Sequence, residues 1–148
     1  MQNKKRMPKH NIKIGVNSPC QCGSKLKFKK CCLQFHNGKT PRTALELMRS
    51  RYVAYITSNS DYIIKTTHIN NPDFTTDINR WKNDILEFCR YTTFEQLNIL
   101  EFIDGNKESF VSFNVKLTID DKDESFTEKS KFLKVNNIWK YHSGEFNE

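Results

Sequence analysis

Four cysteines fall inside thirteen residues: Cys20 and Cys22 as a C-x-C pair, then an eight-residue loop, then Cys31 and Cys32 side by side. Four thiolates in so small a volume repel one another. A zinc ion removes that repulsion by taking four sulfurs tetrahedrally at about 2.3 Å. A disulfide framework is the first alternative, and it needs an oxidising compartment. Lys4-Lys5-Arg6 has the charge of a signal-peptide start, but no apolar run follows it. Adjacent cysteines such as Cys31 and Cys32 also pair poorly with each other. A redox pair is the second alternative, but those motifs read C-x-x-C, and neither pair here has that spacing. The spacing therefore predicts one structural zinc ion on Cys20, Cys22, Cys31 and Cys32, with every position filled by protein and none left for a reactive water. His36 is an alternative to Cys32 as fourth ligand; otherwise it is an unbound loop histidine. Cys89 stands alone and reads as a packed core thiol.

The loop between the pairs suits a metal. Gly23 and Ser24 permit a tight turn whose backbone N–H groups point at sulfur. Lys25, Lys27, Lys29 and Lys30 offset the charge of an anionic cluster and form a candidate basic contact surface, while Phe28 can cover one side. A module this small has no core of its own, so the metal is expected to supply most of its folding energy. The run Asn17-x-Pro19-Cys20-x-Cys22-Gly23-Ser24-x-x-Lys27-Phe28-Lys29-Lys30-Cys31-Cys32 resembles the SEC-C zinc motif, named for the C-terminal tail of the SecA translocation motor. Members usually read N-D-P-C-P-C-G-S-G-K-K-Y/F-K-K-C-C. This chain departs at Ser18, Gln21, Lys25 and Leu26, none of them a ligand position.

At 148 residues there is room for one ordinary domain and a small appendage. Mean hydropathy is −0.72 and no run of eighteen apolar residues exists, so no membrane association is expected and a cytoplasmic location follows from reduced thiols. Net charge is +7, unevenly spread. Residues 1–43 hold eleven Lys/Arg and no acid, whereas the remainder holds thirteen against seventeen acids. With four thiolates and one zinc ion counted, the N-terminal part carries about +9, enough to attract polyanions such as RNA, a ribosome or an acidic protein face. The bland alternative is a solubilising tail over residues 1–16, which are polar and aperiodic.

Past the turn at Asn37-Gly38, Thr43-Ala44-Leu45-Glu46 reads as a capping box. Leu45, Met48, Tyr52, Tyr55 and Ile56 then follow at helical spacing for about four turns. A short helix is predicted from Asp61, and a third from about Asp73 into the Trp81–Phe88 region. The period then changes to two. Leu97, Ile99, Glu101 and Ile103 alternate with Asn98, Leu100 and Phe102, leaving both faces partly apolar. Asp104-Gly105 signals a hairpin, and Val111, Phe113, Val115, Leu117 and Ile119 share one face of the next strand. An acidic loop over 120–124, a strand from about Ser125 to Val135, an Asn136-Asn137 turn and a last strand through Tyr141 complete the pattern. Helices first and antiparallel strands afterwards indicate α+β, with helices packed on one face of a curved sheet.

This half is similar to the YchJ-like family of bacterial proteins in Leu47-Met48-Arg49-Ser50-Arg51-Tyr52-x-Ala54-Tyr55, in Asp61-Tyr62-Ile63-Ile64-Lys65-Thr66-x-His68, in Phe110–Phe113, and in Glu128–Lys134 before Trp139-x-Tyr141. The resemblance covers residues 17–144. It implies a SEC-C module over 17–38 and a domain of the nuclear transport factor 2-like, or cystatin-like cone, superfamily over 40–148. Thr67 stands where Trp is usual, Ile69 where Pro is usual, and His142-Ser143 where Ile-Asp is usual. A second SEC-C motif, common at the C-terminus of members, is not seen before Glu148.

The cone fold implies a pocket between sheet and helices, which related domains use for enzymes, ligand binding or assembly. Its candidate residues are Arg51, Tyr52, Tyr55, His68, Glu128 and Ser130. His68 with Glu128 or Asp61 is an acid/base pair if they converge; the structural alternative pairs Arg51 with Glu128 and puts the tyrosines in the core. No nucleophile–base spacing, phosphate loop or open metal site is visible, so a non-catalytic interaction or adaptor protein is expected, its zinc module docking on a protein or ribosome. A pocket-based enzyme or small-ligand binder, and a direct nucleic-acid binder, are the alternatives.

Overall fold

The computed structural model describes residues 13–147. Of the tail expected over residues 1–16, residues 1–12 lie outside them. Within the described part, Ile14 packs on the core and Lys29 N donates to Val16 O at 2.9 Å, so residues 13–16 run along the cysteine knuckle.

The knuckle is a small hairpin. Cys20 N donates to Leu26 O and Phe28 N to Ser18 O, both at 2.8 Å, with Pro19 bridged to Lys27. A 3-10 turn over Phe28–Lys30 leads to α1 (Cys32–His36).

The three longer helices follow their side-chain caps. In α2 (Ala44–Ile56), Thr43 Oγ1 accepts from Glu46 N at 3.1 Å. The capping box closes one residue early, because the Glu46 carboxylate takes Arg42 N at 2.8 Å. Asn59 caps α3 (Ser60–Lys65), one residue ahead of the Asp61 start expected from sequence. The expected start of the third helix near Asp73 is corrected: Asn71 Oδ1 takes Asp73 N in a tight turn, and α4 (Ile78–Tyr91) begins only after Asp77, whose carboxylate accepts from Arg80 N.

Strands β1 (Thr92–Ile103), β2 (Glu108–Ile119), β3 (Lys122–Asp123), β4 (Phe126–Val135) and β5 (Ile138–Asn147) form an antiparallel sheet ordered β1-β2-β4-β5, with the short β3 paired to β2. Helix α4 passes into β1 without a loop, so β1 starts five residues before the Leu97 expected from sequence. The two-sided apolar pattern there is a bulge effect. Register shifts at Glu95 and Leu100 put Phe94, Leu97, Ile99 and Phe102 opposite Leu117, Val115, Phe113 and Val111 on the inner face, and leave Leu100 59 % exposed. Strand β5 runs six residues past Tyr141 and carries its own bulge, which controls the cavity described below. Helix α2 lies against the inner face and is buried nearly all round, as a central helix must be, and α3 packs on α2 and α4. Among the described residues no helix is long and apolar enough to cross a membrane.

Candidate functional site

The C-x-C pair, the turn at Gly23 (φ +84°) and the α1 N-terminus bring the four predicted sulfurs together, all within 4.8 Å of one another and all buried. Cys22 and Cys31 Sγ are 3.6 Å apart, Cys31 and Cys32 Sγ 3.9 Å. Four sulfurs held at about 2.3 Å from one ion would be separated by about 3.8 Å, so the donor set fits a tetrahedral metal. Ser24 Oγ lies 3.2 Å from Cys31 Sγ and steadies that sulfur. As free thiols the four share protons unequally. Hydrogen bonding from Cys20 holds Cys22 far below the ordinary thiol range, whereas bonds to Cys20, Cys22 and Cys31 hold Cys32 far above it. The cluster can hold a metal ion. His36 lies on the last turn of α1, and its Nε2 donates to Ser50 O at 2.8 Å while its ring lies tilted against Tyr62, centroids 4.8 Å apart. Burial lowers its pKa and keeps the ring neutral in that role.

The knuckle does not hang free. Arg49 Nη1 donates to Cys22 O at 2.7 Å, a Cβ at Gly23 would touch the Leu97 carbonyl oxygen at 3.7 Å, and the cysteines share one continuous core with α2 and the sheet. Its outer side carries Lys25, Lys27, Lys29 and Lys30, all exposed, around Leu26, which is 54 % exposed.

A cavity of ≈ 750 Å³ lies on the other side of α2, between it, α4 and the sheet. Met48, Arg51, Tyr52 and Tyr55 line it at i, i+3, i+4 and i+7, one helix face. Aromatic rings line it in pairs: Tyr55 meets Phe88 at 5.8 Å, Phe88 meets Phe94 at 6.0 Å and Phe74 meets Trp81 at 5.4 Å, each edge to face. Exposed Asp73, Arg80 and Asp84 stand at the margin.

Two charged side chains, each over nine-tenths buried, face this apolar space. Arg51 Nη1 donates to Ile63 O (3.0 Å), Thr66 Oγ1 (2.7 Å) and Thr67 Oγ1 (3.2 Å), and its guanidinium lies 4.7 Å from the Tyr141 ring centroid. The Glu128 Oε2 accepts from Ser130 Oγ at 2.6 Å and from Tyr141 Oη at 2.7 Å. Burial first, then the Glu128 charge, drives the Tyr141 hydroxyl well above the tyrosine range, so it stays a donor. The β5 bulge makes this possible. Lys131 pairs with Ser143 but Phe132 with Tyr141, so His142 is the extra residue. Both Tyr141 and Gly144 therefore face inward, which an unbroken period of two would forbid. Gly144 is required there, because a Cβ on it would collide with the Glu128 carboxylate.

Of the predicted pocket residues, Arg51, Tyr52, Tyr55, Glu128 and Ser130 line the cavity, and His68 does not. His68 is a latch: its backbone N donates to Tyr141 O at 2.8 Å, its Nδ1 accepts from Asn70 N, and its ring meets His142 at 5.1 Å. The acid/base pair proposed for it is not formed, since Glu128 is bonded to hydroxyls and Asp61 pairs with Lys82 at 3.4 Å. The suggested Arg51–Glu128 ion pair is also replaced, on the arginine side by neutral oxygens. Sequence reasoning missed Tyr141 and Gly144 because the bulge is silent in the pattern.

Comparison with known proteins agrees with this architecture. The family description "YchJ, middle NTF2-like domain" matches residues 43–144, and the SEC-C motif matches residues 17–34. A UPF0225 protein of Serratia proteamaculans is 35% identical over 130 residues, 84% of this chain and 81% of that protein. A UPF0225 protein of Actinobacillus succinogenes is 35% identical over 126 residues, 81% of this chain and 77% of the other. The solution structure of a SEC-C motif containing protein from Rhodopseudomonas palustris is similar with a TM-score of 0.75 and 25% identity, covering 88% of this chain and 100% of that one. A crystal structure of a SEC-C motif containing protein from Psychrobacter arcticus gives 0.64 and 25%, over 88% and 79% of the two chains. With a SEC-C cysteine knuckle packed on a nuclear transport factor 2-like cone, and relatives alike over most of their length, the chain belongs to the YchJ-like UPF0225 family.

Proposed function

We propose that the protein is a non-catalytic binding protein whose cone cavity takes up a small, mostly apolar molecule, while the knuckle, folded around a structural zinc ion, fixes the N-terminal segment to the central helix. The observation that carries this reading is the ≈ 750 Å³ cavity, walled by aromatic rings and holding a few convergent polar groups. Ligand sites have that size and composition. A closed four-sulfur set supports a structural role for the metal. The test uses metal-loaded protein and the uncharged polarity-sensitive dye 1-aminoanthracene. One dye should bind per chain, and Val115→Trp, which fills the cavity from its floor, should abolish binding while circular dichroism stays native. Failure of the dye to bind, or binding unchanged by the filled cavity, overturns the reading.

A second reading has its own observation. The four exposed lysines around Leu26 form a basic face with an apolar tip, suited to docking on an acidic protein face or a ribosome. Under it, the protein co-sediments with ribosomes in a metal-dependent way, and neutralising Lys25, Lys27, Lys29 and Lys30 abolishes the effect. Direct nucleic-acid binding by the same face would instead fall with salt at a slope of about −0.9 per phosphate on duplex DNA.

A further inference from the structure

The proposed cavity ligand is further constrained by the two buried charges. Arg51 places one nitrogen, Nη1, against three neutral oxygens. Its Nε and Nη2 have no hydrogen-bond partner among the described residues. Glu128 uses Oε2 for both of its hydroxyl donors, and Oε1 has no partner among them either. No fully enclosed side-chain nitrogen or oxygen of the described residues lacks a hydrogen bond, so these unused atoms border open space. Both side chains line the same cavity.

The charges are kept apart by Tyr141. Its ring lies under the guanidinium at 4.7 Å, and its hydroxyl, at the far end of the ring, donates to the carboxylate at 2.7 Å. One wall of the cavity thus presents N–H donors on a cation, an aromatic surface, and a carboxylate oxygen. Buried charges are ordinarily neutralised by a partner of opposite sign. An anionic ligand would satisfy Arg51 and be repelled by Glu128; a cationic one would do the reverse.

We propose that this cavity binds a zwitterionic molecule with an apolar body, an amino acid or amino-acid-like compound, its carboxylate on Arg51 Nε and Nη2 and its ammonium on Glu128 Oε1. The apolar body lies among the Phe74, Trp81, Phe88 and Phe94 rings. Such a ligand neutralises both charges without adding a net charge to the interior. The assignment rests on the ligand-binding reading above.

Four probes of one shape separate the terms: L-tryptophan, tryptamine, indole-3-propionate and uncharged indole, titrated calorimetrically into the metal-loaded protein. L-tryptophan should bind at least tenfold more tightly than tryptamine or indole-3-propionate, about 1.4 kcal/mol by the affinity relation. Glu128→Gln keeps an acceptor for Ser130 and Tyr141 but removes the charge, and should reduce L-tryptophan to the level of indole-3-propionate in the same variant. Indole-3-propionate or tryptamine binding the wild type as tightly as L-tryptophan overturns the zwitterion assignment. If indole binds equally well, the cavity remains a ligand site and only its class is wrong. If none of the four binds at millimolar concentration, while 1-aminoanthracene still does, the assignment falls alone; if the dye fails too, both readings fall.

Discussion

Replacing Gly144 with alanine tests how tightly β5 holds the buried carboxylate. Gly144 pairs with Ser130 across the sheet, and an added Cβ would strike the Oε2, Cδ and Cγ atoms of Glu128. The backbone on both sides is fixed by the ladder, so the carboxylate must move. In moving it gives up the Ser130 bond at 2.6 Å and the Tyr141 bond at 2.7 Å. A hydrogen bond to a charged group contributes about 1.5–3 kcal/mol. Part of that is recovered, since the adjoining cavity lets a displaced oxygen meet water, and alanine in a strand is favoured over glycine by about 0.5–1 kcal/mol. The expected net loss is about 3 kcal/mol, or roughly 8 °C in Tm for a chain of this length. Urea unfolding of the wild type, Gly144→Ala, Glu128→Ala and the double variant makes a cycle. Glu128→Ala removes the carboxylate that the Cβ would strike, so adding the Gly144 change to it should stabilise by about the 0.5–1 kcal/mol that alanine gains over glycine in a strand. The coupling should therefore be about 3.5–4 kcal/mol, far outside the ~0.5 kcal/mol expected of independent sites. Additive single effects would refute the claim that Glu128 is held against Gly144.

Lys25 has φ +73° where SEC-C sequences usually carry glycine, and the left-handed region is unfavourable for a residue with a Cβ by about 1–2 kcal/mol. Lys25→Gly should raise the urea midpoint by the equivalent of about 1 kcal/mol, and a lowered midpoint would contradict the strain argument. Burial pushes the Cys89 thiol up to about 11; a disulfide reagent should therefore reach the four knuckle sulfurs after chelation in native buffer, and Cys89 only after unfolding. Rapid Cys89 labelling in the folded chain would show that it is not packed. Burial also raises Tyr52 and Tyr62 to about 12. These raised values are proton affinities gained on folding, so their stabilisation is fully present below pH 10 and is lost as pH rises from 10 through about 12. Urea midpoints measured at fixed metal concentration should fall over that window, and a flat profile up to about pH 12 would refute the attribution.

The legible parts of this chain are those where local chemistry and global fold agree. Thr43 and Glu46 mark a helix start that the backbone obeys, and Val111, Phe113, Val115 and Leu117 keep the inward face that their period assigns. The cysteine spacing specified a cluster because metal ligation needs short chain separations and fixed residue types. Where the reading failed, a one-residue irregularity intervened. Bulges at Glu95, Leu100 and His142 each reverse the side-chain alternation, and nothing in residue type announces them. His68 looked like a pocket residue because it follows α3, but the parallel bridge of Thr67 to Tyr141 turns it onto the back of β5. The α4 start was missed for a different reason: Asn71 and Asp77 are both good caps, and only packing selects between them.

The four-cysteine cluster and the cavity lie on opposite faces of one helix, and that placement predicts that they are coupled. On one side of α2, Arg49 holds the Cys22 carbonyl and Ser50 O takes the His36 ring. The next residue, Arg51, and its neighbours Met48 and Tyr52 face the cavity. Loss of the metal leaves four buried thiols to be satisfied by one another, and the knuckle has little else to hold its shape. Helix α2 then loses the support of His36, Phe28 and Phe35 on its outer side, and Tyr62 of α3 loses the His36 ring, while the sheet still holds the inner side of α2. Chelation should therefore lower Tm and speed amide exchange across Leu47–Arg51, with β2 and β4 little affected because their ladder partners are intact. It should also weaken 1-aminoanthracene binding several-fold, although no cavity residue is a metal ligand. Hydrogen exchange that speeds up only within residues 17–36, with dye affinity unchanged, would mean that the knuckle folds as an independent unit and does not brace the cavity.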